Sequence, residues 1–213
     1  VAARAIAVGG QLLTIQGIHD TYDEIFLPLH GKHQAANAAS ALVAVEAFFG
    51  DQPLDIEAVR AGFAAVTSPG RCEVVHRDPT VILDAAHNPH GAKALAQTLK
   101  SEFNFDEIVA VVGVFGDKDG LGILQELEPI VDHVIVTQSS STRAMSSSDL
   151  EKLATSVFGN DRVFEVKDLG TALDRAVGDA TRPLSEDTVG IIVTGSVVTV
   201  GEARTYFRKK FAK

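Results

Sequence analysis

The sequence predicts an α/β fold: a mostly parallel, Rossmann-like sheet with one antiparallel strand, preceded by a smaller segment of strands and helices. Three observations carry this. Apolar runs such as IVAVVGVF and GIIVTG are nearly continuous, as in strands covered on both faces. They alternate with helix-like stretches from residue 72 onward. The runs 72–76 and 80–84 stand too close for a crossover helix, so that pair must be an antiparallel hairpin.

The elements follow in chain order. Residues 4–29 read as a short β-meander, because AIAV, QLLTIQGI and EIFLPL are punctuated by Gly9-Gly10 and His19-Asp20. HGKHQAANAASALVAVEAFFG is Ala-rich with Leu42, Val43, Val45, Phe48 and Phe49, and predicts a helix ending at Gly50. A second helix is expected over about 55–66, and the TSPG break at 67–70 marks a domain boundary. Domains 1–67 and 68–213 follow. Beyond the break, strands are expected near 72–76, 80–84, 107–114, 132–137, 162–166 and 189–194. Helices are expected near 89–103, 120–130, 147–158, 169–179 and 198–210. Residues 71–213 hold a full alternating pattern and should fold alone. Three strands and two helices make a thin core for the first 67 residues, the weaker unit.

Composition narrows the function. The chain has 213 residues, 46% hydrophobic and 22% charged, with a net charge of −9 and a pI near 5.2. That balance argues against a general nucleic-acid or anionic-membrane surface. Cys72 is the only cysteine, so no internal disulfide forms and a reducing, cytoplasmic setting is expected. No apolar run reaches the length of a membrane span and no signal-peptide pattern opens the sequence.

The densest chemistry lies in TVILDAAHNPHG, residues 80–91. In open α/β sheets, ligands gather at the carboxyl ends of the strands. Asn88 and Pro89 suit the cap and first position of a helix. Asp84 and His87 have no capping role at their offsets and read as functional. A carboxylate at a strand exit can accept from a ribose hydroxyl while contributing little to core packing. A histidine beside a helix N-terminus can donate to an anion. Arg71, in PGRCEVV, follows a Pro-Gly turn at the boundary; it is either a solvated linker residue or a phosphate ligand. His33 and Asn37 share a helix face. Asn37 offers the donor and acceptor that an adenine edge needs, or forms a satisfied polar pair facing the core.

GVFGDKDG at 113–120 reads as a turn that can also hold an anion or metal. Ser196, in VTGSVVTVGE, is either a helix N-cap or a carboxylate ligand. Neither G-x-x-x-x-G-K-[ST] nor G-x-G-x-x-G occurs anywhere in the sequence.

Taken in order, LPLHGKHQAANAASA, SPGRCEVV, VILDAAHNPHGAKAL, VVGVFGDKD and VTGSVVTVGEAR resemble the C-terminal half of a folylpolyglutamate synthase/dihydrofolate synthase, of the Mur ligase superfamily. The likeness runs from about residue 25 to 210. It implies an ATP- and Mg²⁺-dependent ligase that activates a folate carboxylate as an acyl phosphate and joins it to L-glutamate. ATP would sit between a central P-loop domain and the C-terminal domain. By motif match Asn37 would contact adenine, Arg71 the phosphates and Asp84 the ribose. His87 and Ser196 would serve the glutamate side as catalytic residues.

The resemblance also implies what this sequence does not contain. The P-loop, the carbamylated lysine and the metal ligands are missing, so residues 1–67 would be the tail of the central ATPase domain. The chain is then expected to be an inactive C-terminal fragment, monomeric, with folate and L-glutamate as substrates. Two rivals remain: a peptidoglycan Mur-type amino-acid ligase, which shares AHNP, and a non-catalytic Rossmann-like module that binds a nucleotide or partner.

Overall fold

The computed structural model describes residues 1–50, 52–181 and 188–211, and the chain divides into two compact units, Val1–Pro69 and Gly70–Lys213.

The first unit opens with an antiparallel meander of β1 (Ala3–Ala7), β2 (Gly10–Gln16) and β3 (Thr21–Leu27). Strand β3 carries a bulge: Glu24 takes the left-handed conformation at φ 52°, and the register with β2 shifts between Leu13 and Ile15. The extra residue lets both Tyr22 and Ile25 point inward, which strict alternation would forbid. Arg60 fastens the bulge, donating to the Asp23 carbonyl, the Asp23 carboxylate and the Glu24 carboxylate.

Helix α1 (Lys32–Phe49) ends at Gly50, whose φ of 98° suits glycine. Helix α2 (Ile56–Ala64) starts from Asp55, which caps it by accepting from the Ala58 amide at 2.8 Å. The core joins Leu13, Ile15, Tyr22, Ile25 and Leu27 to Ala35, Ala38, Leu42 and Val59. Of the large apolar residues of α1, only Leu42 is buried within this core, and Phe48 is 83% exposed.

One buried carboxylate organises this unit. Glu46 accepts from the Ile18 amide at 2.6 Å and the Tyr22 hydroxyl at 2.7 Å, and Tyr22 in turn accepts from the Leu54 amide at 2.8 Å. Burial alone would push the Glu46 carboxyl up. The Ile18 amide, the Tyr22 hydroxyl and the His19 amide more than offset it and hold it below the ordinary carboxylate value.

The second unit contains a six-stranded sheet. Its strands are β4 (Glu73–Arg77), β5 (Thr80–Leu83), β6 (Glu107–Val112), β7 (His133–Gln138), β8 (Val163–Asp168) and β9 (Val189–Thr194). Their order is β4-β5-β9-β6-β7-β8, with β4 antiparallel to β5 and every other pair parallel. The hairpin and the mixed sheet are those the sequence predicts. The last strand inserts between β5 and β6. Gly190 allows this, because a Cβ there would lie 2.7 Å from the Phe105 ring.

Helices α3 (Pro89–Glu102), α4 (Gly120–Leu127) and α5 (Ser147–Phe158) cover one face. Their Leu95, Leu99, Ile123, Leu124 and Leu150 pack on Ile82, Ala110, Val112, Val134 and Ile192. Helices α6 (Leu169–Ala180) and α7 (Val197–Lys210) cover the other, with Leu173, Val200 and Phe207 against Val81, Leu83, Val109, Val111, Ile135 and Val193. Successive strand residues therefore feed two cores, which is why the strands read as unbroken apolar runs.

Some boundaries differ from expectation. The helix expected over 120–130 is α-helical only to Leu127 and finishes as a 3-10 turn over Glu128–Ile130; Pro129 has no amide to continue the ladder. The strand expected to reach 114 stops at Val112, where Gly113 donates to Thr194 and the chain turns away.

Candidate functional site at the carboxyl edge of the sheet

Strand β5 delivers Asp84. Its backbone amide prolongs the parallel ladder by donating to Val193 at 3.0 Å. Its side chain then turns back: Oδ1 accepts from the Ala86 amide at 2.9 Å and Oδ2 from the Cys72 amide at 2.8 Å. This corrects the sequence reading. Asp84 is 8% exposed, and it satisfies two backbone donors that neither helix nor sheet can use, one in its own turn and one twelve residues upstream. Burial raises its carboxyl above the ordinary range; the two amides and the nearby Arg71 cation offset part of that rise.

The turn that carries Arg71 is fixed by the same network. Gly70 and Cys72 both have positive φ, 70° and 49°. The Gly70 carbonyl accepts from Ala85 at 2.8 Å, and the Gly70 amide donates to Glu73 Oε2 at 2.8 Å. Arg71 itself is exposed, and its guanidinium enters no ion pair among the described residues. Cys72 is a buried free thiol whose ionisation burial pushes far up, so it is inert as a nucleophile.

His87 is half-buried, with Nδ1 3.0 Å from the Ala85 carbonyl. A carbonyl only accepts, so Nδ1 carries the proton and Nε2 is the acceptor of the neutral ring. Asn88 caps α3 by accepting from Gly91 at 2.8 Å, with Pro89 as the first helical residue, as the sequence indicates.

Strand β9 brings Ser196. The Gly195 amide donates to the Ala86 carbonyl at 3.1 Å, which binds the end of β9 to the turn holding His87. Gly195 has φ 105°, and a Cβ there would fall 2.7 Å from the Gly113 carbonyl oxygen, so a side chain would break the contact between strand ends. Ser196 caps α7: Oγ accepts from the Thr199 amide at 3.0 Å and lies 2.8 Å from Thr199 Oγ1. Thr199 Oγ1 donates to Gly113, so Ser196 must donate to Thr199. Of the two roles left open by the sequence, capping is the one the structure displays.

Beyond β6, Asp119 caps α4 through the Gly122 amide at 2.8 Å. Asp117 pairs with Lys118 at 3.2 Å and takes one Arg143 nitrogen on both oxygens at 2.9 Å. Arg143 comes from the loop after β7, and its link to Asp117 spans 26 positions, out of reach of any local sequence signal. Glu202 of α7, which accepts from the Ser140 amide at 3.2 Å, is another such residue, 62 positions away.

The second unit thus gathers Arg71, Asp84, His87 and Ser196 around the ends of β5 and β9. Asn37 belongs to the first unit. It is exposed on α1, where its Nδ2 donates to Gln34 at 3.2 Å, so it does not face that unit's core.

Arg71 offers an exposed cation that enters no ion pair among the described residues, and each Asp84 oxygen has a lone pair beyond the one its amide uses. Among the described residues, no three His, Cys, Asp or Glu side chains gather as metal ligands. Among those residues, too, no helix is long and apolar enough to cross a membrane.

Residues 70–197 match the family model "Mur ligase, glutamate ligase domain". The chain belongs to the Mur ligase family. Among relatives, this Mur ligase chain is 52% identical over 218 residues to the dihydrofolate synthase/folylpolyglutamate synthase of Mycobacterium tuberculosis, covering 97% of the chain and 45% of that protein. The folylpolyglutamate synthase of the same organism, solved with ADP and AMPPCP, superposes with a TM-score of 0.92 at 55% identity, covering 97% and 47% of the two chains. Escherichia coli FolC in complex with DHPP and ADP gives 0.79 at 26% identity, with 97% and 46% covered. This Mur ligase chain therefore spans about half the length of the relatives it matches.

Proposed function

We propose that this chain carries the glutamate-ligase part of an ATP-dependent folylpolyglutamate synthase, with dihydrofolate synthase activity as the companion reaction. The observation that carries the reading is the 52% identity, spread over 97% of the chain, to a protein of that name. The sheet edge supports it, with a phosphate-binding type of side chain, a carboxylate and an imidazole on two adjacent strand ends.

In this reading residues 1–67 are the tail of a central ATP-binding domain and 68–213 the ligase domain. Bound ATP supplies the phosphoryl group that activates a folate carboxylate. Arg71 pairs with phosphate oxygens, the role its planar fork of donors suits. Asp84 accepts from the ribose through lone pairs left free by its two amides. Asn37 supplies the donor and acceptor of an adenine edge.

The Ala85 carbonyl fixes the tautomer of His87, so Nε2 can take an ammonium proton from L-glutamate and release the amine for attack. Ser196 acts through α7, holding its amide-bearing N-terminus at the edge of the site. A cytoplasmic, monomeric protein goes with this reading, and the reduced Cys72 is in keeping with it.

The test uses the longest polypeptide that the reading frame of this chain encodes, supplied with MgATP, L-glutamate and either dihydropteroate or tetrahydrofolate. ADP release that requires both glutamate and a folate is expected. Release driven instead by a nucleotide-linked muramyl substrate, or no glutamate-dependent release, would sink the proposal.

A further inference from the structure

We infer that Glu73 and Arg204 form a positioning pair that aims Arg71, coupling the Arg71 turn to α7. The inference rests on the function proposed above. Neither residue stands out in the sequence, and they are 131 positions apart.

Arg204 Nε donates to both oxygens of Glu73 at 2.9 Å, and each side chain is only about a quarter exposed, 25% and 23%. A single N–H shared by both oxygens centres the guanidinium on the carboxylate and holds it by a charge-assisted contact. The fixed carboxylate accepts the Gly70 amide at 2.8 Å. Gly70 and Cys72, on either side of Arg71, both have positive φ; Gly70 adopts it freely, whereas Cys72 has a side chain and must be held there by surrounding contacts. Asp84 holds the far side of the turn through Cys72; Glu73 holds the near side through Gly70. Arg71 has an exposed side chain that enters no ion pair among the described residues, so the backbone of this turn sets the point and direction from which the side chain departs.

Helix α7 meets the turn along one stripe. Ser196, Val200 and Arg204 are spaced by four and share a helix face. Ser196 caps the helix at the strand ends. Val200 packs beneath Gly70 so closely that a Cβ on Gly70 would lie 2.9 Å from its Cγ1. Arg204 grips Glu73. The helix whose N-terminus borders the proposed glutamate side thus also braces the residue proposed for the phosphates. Arg204 is a positioning residue: it acts on substrate only through Glu73 and Arg71.

The test is a double-mutant cycle in the longest polypeptide that the reading frame encodes, with Arg204→Met, Arg71→Ala and both together, plus Arg204→Lys. Arg204→Met should lower kcat/KM for ATP by roughly 10- to 100-fold, as a misaimed ligand side chain does. Its melting temperature should fall only a few degrees, as for loss of one partly exposed ion pair. Arg204→Lys should recover part of the loss, since an ammonium keeps the charge that holds the carboxylate but not the donor position of Arg204 Nε.

The double variant should be no worse than Arg71→Ala alone, because both changes disable one device. Losses that multiply in the double variant, or an Arg204→Met enzyme with wild-type kinetics, overturn the inference. A neutral Arg71→Ala on an enzyme that still needs folate and glutamate also overturns it, while leaving the proposed function intact. Absence of folate- and glutamate-dependent turnover in the unsubstituted protein defeats the function itself and takes the inference with it.

Discussion

The carboxylate of Asp84 reaches back 12 positions to the amide of Cys72 at 2.8 Å, so the end of β5 and the turn bearing Arg71 share one anchor. The same side chain accepts from Ala86 at 2.9 Å, and it is buried. A residue proposed to meet ribose is therefore also a structural element of the domain.

Asp84→Ala should destabilise the fold as well as weaken ATP use. It strands two backbone amides, each costing roughly 1–3 kcal/mol if left without a partner. At about 2–4 °C per kcal/mol for a chain of this size, the melting temperature should drop by several degrees. Asp84→Asn keeps one acceptor and should lose less. A melting curve for Asp84→Ala that overlays the wild type would show that water satisfies both amides.

Glu46 gives the first unit a stability that depends on pH. Its folded-state carboxyl ionises below the ordinary value of 4.5, so its contribution is complete above that value and is lost as pH falls through the depressed one. Asp84 has the opposite sign. Its raised carboxyl keeps a proton that the unfolded chain has released, so its contribution is lost as pH rises from 3.8 through the folded value. Denaturant titrations at several acid pH values should show Glu46→Gln flattening the acid loss and Asp84→Asn steepening it. An unchanged acid limb in Glu46→Gln would contradict the depressed carboxyl.

His87→Ala should raise the KM for glutamate more than that for ATP. The ring is half-buried and, among the described residues, makes one hydrogen bond, to Ala85, so the melting temperature should change little. Steady-state kinetics with each substrate varied in turn decides this, and an effect confined to ATP would reassign the residue.

The 213-residue chain alone should not turn over folate, glutamate and MgATP, because it contains no G-x-x-x-x-G-K-[ST] loop. An ADP-release assay at micromolar protein measures this. Turnover on the order of 1 s⁻¹ or faster would refute it.

Residues 70–213 should fold without the first unit. Both of their core clusters are built wholly from residue 72 onward, and the third cluster lies wholly at or before residue 66. Limited proteolysis should cut first near 66–70 or in the meander and leave a cooperative 70–213 product. Early cleavage between β6 and β7, with the meander protected, would oppose this.

By itself the sequence determined the layered α/β architecture of the second unit. Continuous apolar strands must be covered on both faces. The short gap between 76 and 80 forces a hairpin, and Asn88-Pro89 dictates where α3 begins. These are local patterns, and a period, a turn or a cap is written within a few neighbouring residues. Only the tertiary structure decided what the polar side chains do. Asp84 looked unengaged because its second donor, Cys72, lies on another segment, and Ser196 could not be separated from a ligand until Thr199 and Gly113 closed around it. The pairs Glu73–Arg204, Ser140–Glu202 and Asp117–Arg143 join positions 131, 62 and 26 apart. Hydrogen bonds act over about 3 Å in space, and nothing along the chain marks two distant residues as partners until the sheet has brought its strand ends side by side.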